Sequence, residues 1–336
     1  MATGKDRHTE LGLKEEDLLE MYRFMLLARF CDERQWSLNR QGKAPFVVPV
    51  SGHEAAQVGS GWAFERGKDV FCPYYRDLAL CLVAGFTPKD VFLGLFGKAD
   101  DPSSGGRQMP AHWGAKDRNI ITGSSPIATQ CLHAAGIALS KKLKRSDAVV
   151  GTWCGEGGTS EGDWHGAMNF AGIHKLPLVL IVENNQYAIS VHVDKQVAGS
   201  VHGRAAGYGM PGAVGDGNDV LESYKLTKEA VDRARAGEGA SLIELLTYRH
   251  YSHTSDDDDR TYRKKEEVEE WKKKDPIPRF EEYLTSVDLI DDKRIEEIRD
   301  DAKTRVTEGA KEAEGADFPD PSTALDHVYA ERVEVK

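Results

Sequence analysis

The segment AVVGTWCGEGGTSEGDWHGAMNFAGIHKLPLVLIVENNQYAIS, from Ala148 to Ser190, decides the fold. It opens on an apolar, β-branched run through Cys154 that suits a buried parallel strand. Ser160 and Asp163 then stand at the spacing of a capping box, and Trp164, Ala167, Met168 and Ala171 recur at helical intervals, which predicts a helix with one apolar face. Pro177 ends the return turn, and LVLIVE reads as the next strand. The result is a βαβ unit whose two strands end in unlike tips, Gly155-Glu156-Gly157 and Asn184-Asn185, with 26 residues (158–183) between them. Parallel packing brings both tips to the C-terminal edge of the sheet, where open α/β folds bind their ligands. A carboxylate and an amide carbonyl there are hard oxygen ligands suited to Mg²⁺, which keeps further positions for water and phosphate oxygens. Glycines beside Glu156 allow close backbone approach to a diphosphate, and the following helix N-terminus offers peptide donors. The plain alternative is a glycine turn and a polar loop.

Working outward, Leu13 to Arg40 reads as one helix ending at Gly42, and residues 43–255 alternate apolar runs, glycine turns and helical patterns. The helix LTKEAVDRARAG precedes the strand SLIELLTYR. Beyond Ser255 the chain becomes charged and helical, with a narrow stripe of Ile295, Ile298, Ala302, Val306 and Ala310 that is expected to pack on its own domain. These shifts divide the chain into a helical arm (1–42), an α/β domain (43–255) and a C-terminal extension (256–336).

The 336 residues carry a net charge of −11, which disfavours nucleic acid as a partner. Five dispersed cysteines suggest reduced thiols rather than disulfides or a zinc cage. No secretory h-region opens the chain, and LPLVLIV is too short to span a bilayer, so a cytoplasmic protein away from membranes is expected, or a mitochondrial matrix one if processed. Gly207, Gly209 and Gly212 satisfy the spacing of a dinucleotide-binding loop, but Pro211 interrupts it and neither a strand before nor a helix after is evident.

The Gly-Glu-Gly and Asn-Asn-Gln-Tyr pair resembles the thiamine diphosphate motif of the α subunit of the E1 component of 2-oxo acid dehydrogenase complexes. PYYRDLALCLVAG, SSGGRQMPAHWG, TGSSPIATQ and TYRHYSHTSDDDDRTYR resemble that family's other blocks in the same order, and the last leans to the branched-chain type. The resemblance implies a three-layer α/β fold with a mostly parallel sheet, flanked by an N-terminal helix and a helical tail. It implies thiamine diphosphate held by Tyr75, Arg76, Ser125, Ile127, Gly155, Glu156, Gly157, Gly158, Asn185, Tyr187 and His253. Of these, Glu156, Asn185 and the Tyr187 carbonyl would hold Mg²⁺. Ser124, Pro126, Thr129 and Gln130 resemble a K⁺ site, and Tyr75 and His253 stand as catalytic residues.

Each residue also has a plainer reading. Arg76 could pair with Asp77 at the surface, and Ser125 could cap a helix with Pro126 at its first position. Asp256 to Asp259 could be a solvated acidic run, its members repelling one another and burying little. His250 is a weaker candidate than His253. Two departures stand out: Glu183 stands where some relatives carry a basic residue, and Thr254 occupies the place where animal relatives have a regulatory phosphoserine, so the resemblance leaves kinase control open. The implied reaction is oxidative decarboxylation of a 2-oxo acid with acyl transfer to a lipoyl-bearing E2 component. One α/β domain leaves no room for the pyrimidine half of such an enzyme, so the resemblance implies an E1 β subunit in an α₂β₂ heterotetramer. Pyruvate or acetoin dehydrogenase α subunits are the nearest alternatives; an NAD-binding dehydrogenase and a catalytically silent scaffold are remote ones.

Overall fold

The computed structural model describes residues 7–326; residues 1–6 and 327–336, at the ends of the first and third segments, lie outside it. In chain order the helices are α1 (Arg7–Glu10), α2 (Glu15–Arg40), α3 (Glu54–Trp62), α4 (Leu78–Val83), α5 (Pro88–Phe96), α6 (Thr129–Leu143), α7 (Gly162–His174), α8 (Val220–Arg235), α9 (Lys265–Lys272), α10 (Pro276–Ser286) and α11 (Asp292–Glu314). The strands are β1 (Val70–Cys72), β2 (Val150–Gly155), β3 (Leu178–Asn184), β4 (Tyr187–Ala188), β5 (Val191–His192), β6 (Gly212–Asp216) and β7 (Ser241–Leu246).

Five strands form one sheet in the order β1-β2-β3-β7-β6, with every neighbouring pair parallel. Alternation along the strands sorts the layers. Val149, Trp153, Val179, Ile181, Ile243 and Leu245 pack with α2, α3, α4 and α8, whereas Val150, Cys154, Leu178, Leu180, Val182 and Leu242 pack with α6 and α7. The sheet is therefore covered on both faces, which is why its strands read as continuous apolar runs. The expected three-layer α/β architecture is present. The stripe on α11 turns inward: Ile298, Ala302, Val306 and Ala310 are buried in the same cluster as α2 and α5.

Two expected helix starts are displaced. After β2 the chain takes a 3₁₀ turn from Glu156 to Ser160, so α7 begins at Gly162 with Glu161 as its cap residue, and the Ser160 hydroxyl reaches the Gln196 carbonyl (3.4 Å) instead. The apolar face of α7 is as expected, with Trp164, Ala167, Met168 and Ala171 buried. Likewise α6 begins at Thr129, behind Ala128 in the left-handed region (φ 68°); Ser125 caps nothing and pairs with His112. The glycine triplet at 207–212 follows a 3₁₀ turn (His202–Tyr208) and leads into strand β6, the reverse of the strand–turn–helix order that a dinucleotide loop requires. Among the described residues no helix is long and apolar enough to cross a membrane, and all five cysteines are buried free thiols.

Candidate active site

β2 and β3 run side by side in parallel with Gly155 opposite Glu183, so the chain leaves both strands at the same edge. Glu156 follows immediately and is almost fully buried (1% exposed). Its Oε2 accepts the peptide N–H of Asn185 (3.2 Å), and its Oε1 accepts from the Gln196 amide (3.2 Å). Burial pushes its carboxyl up to about 7. A carboxylate desolvated in this way, with neutral donors for company, is a site short of positive charge. The Asn185 side-chain oxygen lies in the same loop and accepts from the Tyr187 N–H (3.2 Å). Among the described residues no cluster of three or more His, Cys, Asp or Glu stands ready to hold a metal. The donor set at the strand tips, one carboxylate with amide and peptide oxygens, therefore fits a hard ion that completes its shell with water and phosphate.

The glycines are needed for two different reasons. A Cβ on Gly157 would lie 2.7 Å from that of Ala188, so only glycine lets the two loops meet; at Gly155 nothing lies within 4 Å, leaving open space beside the backbone. The facing loop is strained: Gln186 (φ 75°) and Ile189 (φ 54°) are both left-handed without being glycine, at a cost of order 1–3 kcal/mol each.

The opposite wall is cationic. Arg76 is buried (2% exposed); its Nη1 donates to the Pro49 carbonyl (2.6 Å), its Nη2 to His253 Nδ1 (3.1 Å), and its Nε has no partner. The surface pair with Asp77 does not form, because Asp77 turns back to accept the Tyr74 N–H (2.8 Å). Arg249, fully buried, contacts His253 Nδ1 (3.4 Å), the Ile189 carbonyl (3.0 Å) and the Tyr262 hydroxyl (2.8 Å). Both guanidiniums thus rest on carbonyls, a hydroxyl and one imidazole, leaving buried positive charge to meet an anion. Burial and these two arginines hold His253 down at about 3, so it is neutral. With Nδ1 accepting from guanidinium, the ring proton is assigned to Nε2. The Tyr75 ring stands edge-on to His253 at 6.0 Å.

One cavity of about 470 Å³ brings together Tyr75, Arg76, Ser124, Ser125, Ile127, Gln130, Gly155, Glu156, Gly157, Gly158, Asn185, Tyr187 and His253. Pro126 and Thr129 of the expected K⁺ set do not line it, and neither does His250, which is buried beside Asp275 at 3.8 Å and pushed down to about 4 by burial and Arg29. Glu183 also stays out of it: its carboxylate is buried and accepts from Gln57 (3.0 Å) and the Tyr74 hydroxyl (3.1 Å). Phe46, Val48, Met109 and His112 are among the other residues that line it. Sequence reasoning passed over these four, and over Arg249 and Gln196. The signal for Arg249 was its place in the block around His253; nothing local marked Phe46 or Gln196.

The acidic run is not a freely solvated one. Asp257 accepts from the His253 N–H (2.7 Å) and the Tyr262 hydroxyl (2.5 Å), Asp258 pairs with Arg260 (2.7 Å), and Asp259 pairs with buried Arg263 (2.6 Å). Each of these three carboxylates has a donor, so mutual repulsion does not dominate the loop.

Comparison with known proteins agrees with this geometry. Residues 22–322 match the family described as "Dehydrogenase E1 component". The chain is 50% identical to the 2-oxoisovalerate dehydrogenase subunit alpha of Bacillus subtilis, over 97% of this chain and 99% of that one. It is 40% identical to the 3-methyl-2-oxobutanoate dehydrogenase subunit alpha of Mycobacterium tuberculosis (96% and 84% of the two chains). It is 37% identical to the pyruvate dehydrogenase E1 component subunit alpha of Staphylococcus aureus (94% and 83%). With a match across nearly all of its length, the chain belongs to the dehydrogenase E1 component family.

Proposed function

We propose that this chain is the α subunit of a branched-chain 2-oxo acid dehydrogenase E1 component, binding thiamine diphosphate through Mg²⁺. The observation that carries the reading is the polarity of the cavity: a buried carboxylate, Glu156, and a buried guanidinium, Arg76, both line it, and the buried Arg249 stands behind its His253. Glu156, Asn185 and the Tyr187 carbonyl would hold the ion, and Arg76 and His253 would meet diphosphate oxygens, with Arg249 adding positive charge behind His253. Guanidinium suits that task because its donors are planar and permanently charged. A cation bound to Ser124, Pro126, Thr129 and Gln130 would brace the same turn. The cofactor supplies the electron sink that lets CO₂ leave a 2-oxo acid.

The chain's own residues do the rest. Tyr75 and the Nε2–H of His253 present donors toward the reacting end. Phe46, Val48, Met109 and Ile127 give the cavity an apolar side that suits a branched aliphatic substituent, in line with the two relatives named for such substrates. Among the described residues only Glu156 and Glu161 supply carboxylates to the lining, and Glu156 would be committed to the ion. The carboxylate that relays protons on the aminopyrimidine must then come from a β subunit, in an α₂β₂ assembly that delivers the acyl group to lipoyl-E2. The test is co-expression with a β-type subunit and turnover of a 2-oxo acid panel with an artificial electron acceptor. Branched substrates should exceed pyruvate in kcat/KM, and the purified α chain alone should turn over none. Full turnover by the lone chain overturns the two-subunit reading; preference for pyruvate overturns the substrate assignment.

A further inference from the structure

Glu267 lies on α9, outside every segment that contributes to the cavity, yet it grips the loop that does. Its two carboxylate oxygens accept from the Tyr187 hydroxyl at 3.0 and 3.1 Å, and one of them also accepts from the Tyr248 hydroxyl at 3.0 Å. Tyr248 is itself closely packed: it is fully buried and stacks on Trp271 (centroids 5.1 Å apart, planes 6° from parallel), with the Arg263 guanidinium over its ring at 5.4 Å. The backbone of Tyr187 meanwhile donates to the Asn185 side-chain oxygen, between the left-handed residues Gln186 and Ile189. A loop in that conformation needs outside support to hold its oxygens in place.

From this geometry we infer that Glu267 is a positioning residue for the metal loop. By holding Tyr187 against Tyr248, it fixes the Asn185–Tyr187 oxygens at the spacing a divalent cation requires. The inference rests on the metal reading of the strand-tip site and deepens it, since it makes the C-terminal extension a functional part of ion binding. Partners that orient metal ligands without touching the metal commonly matter by 10- to 100-fold in affinity.

The experiment measures Mg²⁺ affinity by calorimetry, in the presence of thiamine diphosphate, on the full chain co-purified with its β-type partner. Glu267→Ala should weaken Mg²⁺ binding by about 10- to 100-fold. At saturating Mg²⁺ the kcat should return to that of the wild type, because the residue places ligands and takes no part in the reaction. Glu267→Gln, whose carbonyl oxygen can still accept both hydroxyls, should recover most of the affinity. Tyr187→Phe should reproduce the loss with the carboxylate still in place, and the Glu267→Ala/Tyr187→Phe double variant should lose no more than either alone. Unchanged Mg²⁺ affinity in Glu267→Ala overturns the inference, and so does a kcat loss that saturating Mg²⁺ fails to restore or an equal loss in the Ala and Gln variants. Glu156→Ala separates two kinds of failure. If it abolishes Mg²⁺-dependent binding while Glu267→Ala has no effect, only the clamp is wrong; if neither variant matters, the metal reading falls with it.

Discussion

The two walls of the cavity are built by different means. One is a pair of strand tips, in which Glu156 and Asn185 are delivered by a single βαβ unit and fixed by the register between β2 and β3. The other is assembled from loops far apart in sequence: Arg76 rests on the Pro49 carbonyl, and Arg249 reaches back to Ile189. The first wall is local and follows from strand pairing. The second exists only once the whole chain has folded. A ligand that bridges them reads both, so each wall can be broken separately and the effects compared.

The largest effect is expected at the strand tip. Glu156→Ala should weaken Mg²⁺-dependent thiamine diphosphate binding by more than about 100-fold, beyond the usual effect of losing a group that merely orients a ligand. The fold should survive, because burial already disfavours this carboxylate, at about 7, and its removal relieves that penalty. Calorimetry across a magnesium titration, with thermal unfolding in parallel, checks both halves. Unchanged affinity would reduce Gly-Glu-Gly to a turn, and a collapsed melting curve would make Glu156 structural.

The contrast also explains what could be read from sequence. Strand, helix face and tip residues around Glu156 follow from periodicity and spacing, and the three-layer fold follows from repeating that unit. The misread helix starts are instructive: a 3₁₀ turn at 156–160 and a left-handed Ala128 shift α7 and α6 away from their apparent caps, and no propensity announces either. Arg76 was visible only through family resemblance, since an arginine beside an aspartate suggests a surface pair until burial shows otherwise, and Arg249 was passed over. Phe46, Gln196 and Glu267 come from tertiary packing and carry no local signal. The acidic run misled for the same reason, because its donors Tyr262 and Arg263 matter only after the loop closes.

Next in size is the loop-built wall. Arg76→Met should weaken diphosphate binding by about tenfold, the loss of one charge-assisted contact of roughly 1.5–3 kcal/mol partly offset by the charge of Arg249 behind it. Affinity should fall as ionic strength rises, less steeply in the variant than in the wild type. Isothermal titration with inorganic pyrophosphate and Mg²⁺ reads this wall without the rest of the cofactor. Equal affinities would place Arg76 in a purely structural role.

His253 gives a smaller, pH-dependent effect. Its value falls to about 3 in the folded chain, against the ordinary 6.5, because of burial and the two arginines. Between these values the unfolded chain binds a proton that the folded chain refuses. The neutral ring therefore contributes stability that is fully present above pH 6.5 and is lost as pH falls toward 3. His253→Asn should lose less stability than the wild type on acidification, so denaturant curves at pH 7, 5 and 4 should converge or cross. Curves that stay parallel would mean that the ring is already solvated or paired in another way.

The smallest effect concerns the loop from His250 to Arg263, and it divides that loop in two. Asp257, Asp259, Tyr262 and Arg263 are tied to each other and to Arg249, whose carbonyl accepts from the Arg263 guanidinium (2.5 Å). Apart from the His253 N–H that Asp257 accepts, their side-chain hydrogen bonds lie outside the cavity lining. His253 and Thr254 line the cavity itself, and His253 meets the two guanidiniums, so a bound diphosphate adds a partner at this end of the loop. Ordering costs about 1–2 kcal/mol per residue of backbone, and a short segment gains that much only where a new contact offsets it. Hydrogen exchange on the αβ assembly, with and without thiamine diphosphate and Mg²⁺, should therefore show added protection at His253 to Asp256 and little change from Asp257 to Arg263. Uniform gain across the whole loop would show that the aspartate pairs are weaker than their geometry suggests, leaving the loop to depend on the ligand throughout. No gain anywhere would separate His253 from the diphosphate and leave Arg76 as the cation that lines the anion-binding wall.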